Sequence, residues 1–127
     1  MATEVLVNDG GAPARILPFT AGSALTAGHV VDMNATGTVD MCASGATYVI
    51  GAAFVDANSG ANCSIITGRG VILNLAVSGT LAVEEGQTLS VTNAGGGVLV
   101  SGTSNVVAVA LEAQTLANSS LVKCMLL

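Results

Sequence analysis

Gly68-Arg69-Gly70-Val71-Ile72-Leu73-Asn74-Leu75-Ala76-Val77-Ser78-Gly79 is the stretch on which the fold turns. A turn with glycine on either side of Arg69 opens it, and Ser78-Gly79 closes it. In an extended chain successive side chains point to opposite faces. Val71, Leu73, Leu75 and Val77 therefore share one face, and Ile72, Asn74 and Ala76 the other. An apolar run of this length between glycine turns is short for a helix and ordinary for a strand.

The segments on either side of this strand echo each other. Before it, Leu25-Thr26-Ala27-Gly28 reads as a turn, His29–Met33 and Thr38–Cys42 as strands, Tyr48–Val55 as a longer apolar strand, and Cys63–Thr67 as a closing strand. After it, Leu81–Glu85 leads to Gly86, and Gln87–Val91, Val98–Val100, a long strand Val106–Ala113 and a closing strand Leu121–Leu127 follow in the same order. Gly28 aligns with Gly86 at an offset of 86 − 28 = 58, and Val31 and Met33 align with Leu89 and Val91 at that offset. Asp56 aligns with Glu112 at an offset of 112 − 56 = 56, as does Ala61-Asn62-Cys63-Ser64 with Ala117-Asn118-Ser119-Ser120. Recurrence of order, turn chemistry and spacing marks an internal repeat.

Short strands between glycine-rich turns, with almost no helical period, predict an all-β fold: a small β-barrel or sandwich built from two pseudo-repeated halves. One helical turn within 113–120 is a minor expectation. The expected organisation is an extended N-terminal arm over 1–22, then a single β domain over 23–127. Its repeats span about 23–67 and 79–127, joined by the strand 71–77. The arm reading rests on Gly10-Gly11, Pro13 and Pro18, which suit neither a central strand nor a helix.

Composition narrows the function. Apolar residues make up 51% of the 127 and charged residues only 9%, where an average soluble domain has about 25% charged. So uncharged a surface implies burial against copies of itself or a large partner. The net charge is −5, and Arg15, Arg69 and Lys123 are the only fixed cations. Such a chain lacks the basic footprint needed for nucleic acid or for anionic membranes. No apolar run reaches the length of a membrane span, and the N-terminus lacks the basic-then-apolar pattern of a secretory signal. Cys42, Cys63 and Cys124 are widely spaced and read as buried thiols of a reducing cytoplasm, not as metal ligands; the alternative expectation is one disulfide that leaves the third thiol free.

No residue set for catalysis, metal or cofactor is visible. His29 is the only histidine, and Asp32 falls on the opposite face of the same expected strand. Glu84 and Glu85 are adjacent and diverge in an extended chain, so they read as a solvated turn. Asp32 and Asp40 flank a turn without the spacing of a calcium loop. Gly95-Gly96-Gly97 lacks the Lys-Ser/Thr of a phosphate loop and reads as a hairpin turn. The candidate interface residues are Arg15 and Phe19 on the arm, Arg69 at the junction of the halves, and Asp56 and Glu112 after the two long strands.

Four motifs in order carry a family likeness: Gly68-Arg69-Gly70-Val71-Ile72-Leu73-Asn74-Leu75, Val83-Glu84-Glu85-Gly86-Gln87-Thr88-Leu89, Val106-Val107-Ala108-Val109-Ala110-Leu111-Glu112-Ala113, and an apolar closing strand. They resemble the small capsid decoration (cement) proteins of tailed bacteriophages. Ala27-Gly28-His29-Val30-Val31 and Ile50-Gly51-Ala52-Ala53 extend the resemblance to about 23–127. It departs at Ala108, where the family pattern has glycine; Gly51 is the better match. The resemblance implies a small β-barrel on the capsid exterior, made in the host cytoplasm, with the major capsid protein and its own copies, as a homotrimer, for partners. It implies no enzyme activity and no cofactor, and gives the arm a role as a strand added to a capsid-protein edge. The competing expectation is a surface binding or fibre module recognising glycan or a host surface. Such sites use aromatic platforms, and the chain has no Trp and one Tyr.

Overall fold

The structure is a computed structural model and describes residues 5–8, 15–43, 49–79, 82–91, 96–115 and 118–127. Among these residues every regular element is a strand, so the fold is all-β. The first half supplies β1 (Leu6–Asn8), β2 (Arg15–Thr20), β3 (Val30–Met33), β4 (Val39–Met41), β5 (Gly51–Ala53) and β6 (Asn62–Thr67). The second supplies β7 (Ile72–Gly79), β8 (Ala82–Val83), β9 (Thr88–Ser90), β10 (Val100–Ser101), β11 (Val106–Ala110), β12 (Gln114–Thr115) and β13 (Asn118–Leu126).

One sheet has the order β2-β6-β5-β3-β4 and the other β1-β7-β13-β11-β9-β10; β8 and β12 form a separate pair. With β1 set aside, the two orders are the same. Each sheet curls until its first and last strands meet in a parallel bridge, Ala21 to Val39 in one and Val77 to Leu99 in the other. Individual hydrogen bonds repeat as well. Gly28 donates to the Ala53 carbonyl and Gly86 to that of Ala110, at 2.9 and 2.8 Å, and both glycines have positive φ. Ala53 donates back to His29 and Ala110 to Gln87. Phe54 donates to Ser64, and Leu111 to Lys123.

Curling gives each sheet an inner face. In the first it is filled by Ala21, Leu25, Val31, Val39, Ala53, Cys63 and Ile65. The equivalent positions in the second are Val77, Val83, Leu89, Leu99, Ala110, Val122 and Cys124, all buried. Val30, Ala52 and Ile66 point out of the first sheet and join the second sheet's cluster, so the halves share a core. Burying each large aliphatic side chain is worth about 1.5–3 kcal/mol, and small Ala, Val and Leu side chains fit so narrow an interior where aromatics would not.

Backbone hydrogen bonds close the seam between the halves. Val30 donates to Gly97 at 2.8 Å, Gly97 to Cys42 at 3.1 Å, and Ala76 to Gly28 at 2.9 Å. Gly97 is buried with φ 73°, and a Cβ there would stand 2.6 Å from the Val30 carbonyl oxygen. The triple-glycine segment is thus more than a hairpin turn: Gly97 is a point of close approach, while Gly95 lies outside the described residues.

Several sequence expectations change. Residues 15–20, read as part of an arm, form β2 and pair with β6 along their full length, from Arg15 opposite Thr67 to Thr20 opposite Asn62. Pro18 is compatible because β2 is an edge strand; at the equivalent position Asn74 directs its N–H away from β13, to Val5 just before β1. Residues 1–4 and 9–14 of the expected arm lie outside the described residues. The expected strand 48–55 is regular only over β5, because the chain turns at Asp56, whose carboxylate accepts the Ala27 N–H. Tyr48 lies outside the described residues. The minor expectation of a helical turn in 113–120 fails: Gln114 and Thr115 pair with β8, and β13 begins at Asn118. The sequence alignment also slips. Hydrogen-bond equivalence matches Asp56 to Ala113, not to Glu112, since Ala57 pairs with Leu25 as Gln114 pairs with Val83. It likewise matches Cys63 to Val122, because Cys63 and Val122 sit opposite the equivalent residues Phe19 and Leu75.

Candidate docking surface

Register places two of the three fixed cations at one end of the molecule. Arg15, the first residue of β2, lies opposite Thr67, the last of β6, and the chain continues directly into Gly68-Arg69-Gly70. Both arginines are exposed. Beside them on β2, Ile16 is 46% and Leu17 37% exposed. Pro18 is exposed too, and Phe54, at the end of the same row through Ser64, is 36% exposed. Ile16, Pro18 and Phe54 therefore form an apolar strip from the β2 edge across the outer face of the sheet, while Leu17, opposite Ile65, is exposed at the same edge on the inner face.

In the other half the counterpart of the β2 edge is covered, while Leu111, the counterpart of Phe54, is 38% exposed. There Leu6 of β1 faces Leu73, and the Val5 carbonyl accepts the Asn74 N–H at 2.7 Å. Val71, Leu73 and Asn74, which stand where Arg15, Leu17 and Pro18 stand, are all buried. Sequence reading missed this asymmetry because it depends on where β1 docks.

A pocket of about 530 Å³ opens at the arginine-bearing end. Its walls come from matching places in the halves, Val49, Ile50 and Gly51 from one and Val106 and Val107 from the other, with Val91 and Leu126 behind. Arg69 and Asn105 supply polar atoms to the lining.

The other candidate interface residues have local tasks. Phe19 is half-buried and packs against the inner cluster of the first sheet. Its carbonyl accepts the Cys63 thiol at 3.4 Å. Asp56 accepts the Ala27 N–H at 2.8 Å, and Glu112 accepts the Lys123 N–H at 2.9 Å. Each carboxylate pins the chain after its half's β5-type strand.

The groups singled out for chemistry are dispersed. His29 Nδ1 lies 2.6 Å from the Gly96 carbonyl oxygen, bracing the seam. Asp32 sits opposite Asp40 across β3 and β4, and burial, then the Asp40 charge, raises its pKa. Asp40 accepts from Asn34 at 2.8 Å, within a turn tied together by Asn34, Thr36 and Thr38. Cys42, Cys63 and Cys124 are free and buried. Burial, with help from Asp32, pushes the Cys42 thiol up to about 12; burial, with help from Glu112, does the same for Cys124. Thiols held protonated are poor nucleophiles. Among the described residues no group of three or more His, Cys, Asp or Glu side chains could hold a metal ion, and no helix is long and apolar enough to cross a membrane.

No protein-family model and no curated protein matches the sequence. Among solved structures the chain is similar to the N base of the head fiber protein gp8.5 of bacteriophage phi29, with a TM-score of 0.63 and 16% identity. The match covers 91% of this chain and 95% of that one, so the likeness extends to the whole fold.

Proposed function

We propose that this chain is a structural protein of a phage virion that binds the outside of the capsid and stabilises the mature head. The observation that carries the reading is the fold likeness to a head fiber base over nearly the full length of both chains. Composition supports it independently: few charges, much apolar surface and a bare apolar rim suit a protein meant to be covered. Stabilisation follows from linkage, since a ligand that binds only the mature shell shifts the equilibrium toward it, and many copies add their effects.

On this reading the partners are the major capsid protein and copies of the chain, with a homotrimer as the expected assembly. The chain acts without enzymatic activity, cofactor, nucleic acid or membrane. We read it as one domain made of a duplicated unit, with 15–67 and 72–126 as better unit boundaries than those drawn from sequence.

A second reading is favoured by the same likeness: the chain is the seat of a fibre whose outer part recognises glycan or a host surface. Sedimentation separates these readings from an unrelated role. Heads assembled with and without the chain are pelleted, washed and heated. The proposal expects the chain in the pellet and a higher temperature for release of the packaged genome. A chain that stays in the supernatant refutes both readings; one that pellets without changing heat resistance favours the fibre seat.

A further inference from the structure

We infer that the end carrying Arg15, Arg69 and the seam pocket is the end that meets the shell, and that the pocket receives an apolar side chain next to a carboxylate on the partner's chain. This rests on the proposed function for the identity of the partner, and on the structure for its chemistry. Three observations carry it.

First, charge is segregated. In a chain of net charge −5, two of the three fixed cations sit at this end, both exposed. Arg69 lines the pocket, with no acidic partner among the described residues. A guanidinium beside apolar walls is suited to a carboxylate, because Arg offers forked donors and tolerates partial desolvation. Second, the pocket has a mixed lining in which the aliphatic Val49, Ile50, Val106 and Val107 stand beside polar groups, and its volume of about 530 Å³ exceeds what one leucine-sized side chain fills. It therefore takes a side chain together with some of the backbone that carries it. Third, Ile16 and Leu17 are exposed on opposite faces of the β2 edge next to Arg15, so apolar surface continues at this end of the molecule beyond the pocket itself.

Internal symmetry says what kind of contact this is. In the second half the matching edge is covered by strand addition, with the Asn74 N–H bonded to Val5. In the first half Pro18 stands at that place and has no N–H to give. A partner strand would find the ladder interrupted, so the contact is made by side chains. The occupant is an exposed loop or strand end of the shell protein, with a residue such as leucine or valine adjacent to Asp or Glu.

The test uses the full chain, isotope-labelled, in NMR titrations. Probes are an acetylated leucyl-aspartyl dipeptide amide, its leucyl-asparaginyl counterpart, and octanoate. The expected result is that the leucyl-aspartyl probe shifts Val49, Ile50, Arg69, Val106 and Val107 at millimolar concentration. Arg69→Gln, on an exposed turn, should weaken that probe about three- to fivefold and leave the asparaginyl one unchanged, as expected for one solvent-facing ion pair. Val106→Phe should abolish both responses while shifts elsewhere report an intact fold. Failure of the leucyl-aspartyl probe to shift these residues, equal binding by Arg69→Gln, or binding of octanoate alone overturns the inference. So do shifts that grow with protein concentration and no additive, which would make a second copy the occupant. Sedimentation of Arg69→Gln with heads keeps the two claims apart. A variant whose half-saturating head concentration equals that of wild type sinks the inference and leaves the proposed function standing; a wild-type chain that never pellets sinks the function, and the titration still decides the pocket chemistry.

Discussion

Replacing Gly97 with alanine, beside the same change at Gly96, tests whether the two halves are joined at the seam as described. The residues are neighbours and both have positive φ, 73° and 66°. An L-residue held there costs about 1–2 kcal/mol, a cost common to both variants. Their surroundings differ. Nothing lies within 4 Å of a Cβ at Gly96, whereas at Gly97 it meets the Val30 carbonyl oxygen at 2.6 Å and the His29 Cβ at 2.8 Å. Relief requires the strands to part, which loosens the Val30-to-Gly97 and Gly97-to-Cys42 hydrogen bonds. Leaving a buried backbone group unpaired adds about 1–3 kcal/mol. Gly97→Ala should therefore lose about 2–5 kcal/mol in total and Gly96→Ala about 1–2 kcal/mol. Against a total stability of about 5–15 kcal/mol that gap is large. Urea unfolding should separate the midpoints by about 1 M, and thermal unfolding should separate them by about 10 °C. Equal losses, within about 0.5 kcal/mol, would refute the close approach and with it the shared core.

Other perturbations test other levels. Pro18→Thr restores an outward N–H on the β2 edge next to exposed Ile16 and Leu17, so light scattering should show assemblies larger than those of the wild type. Asp32→Asn should raise stability at neutral pH. The folded-state pKa of Asp32 lies above its ordinary value through burial and Asp40, so its charged form is disfavoured in the fold. Wild-type stability from this group falls as pH rises through the carboxylate range, and the advantage of the variant should vanish below that range when urea midpoints are compared. The three cysteines should resist a disulfide-exchange reagent such as DTNB in native buffer and all react in denaturant; fast native labelling of Cys42 or Cys124 would contradict their burial.

Much of the fold was legible because strand patterning is local. Val71, Leu73, Leu75 and Val77 were read as one face from alternation alone, and all four are fully buried. The match of Gly28 to Gly86 was legible because a positive φ favours glycine wherever the same turn recurs. Errors arose where the answer depends on a partner strand. Pro18 made residues 15–20 look like a loose arm, since a sequence cannot say that this strand would sit at an edge. Asp56 and Glu112 invited alignment as acids after long strands, yet their backbone pairings differ by one residue, and each accepts a different N–H. The rim beside Arg15 was illegible for the same reason: its exposure follows from β1 choosing β7 and not β2.

By itself the amino-acid order determined the all-β character, the punctuated run of short strands and the scarcity of charge, because each follows from side-chain alternation, turn residues and solvation that act over a few positions. Tertiary structure decided the rest: the curling of each sheet onto a parallel bridge, the close approach at Gly97, and the gathering of Arg15, Arg69, Ile16 and Leu17 at one open end. Those features arise from contacts between residues far apart in the chain, whose pairing is fixed only when the whole core closes.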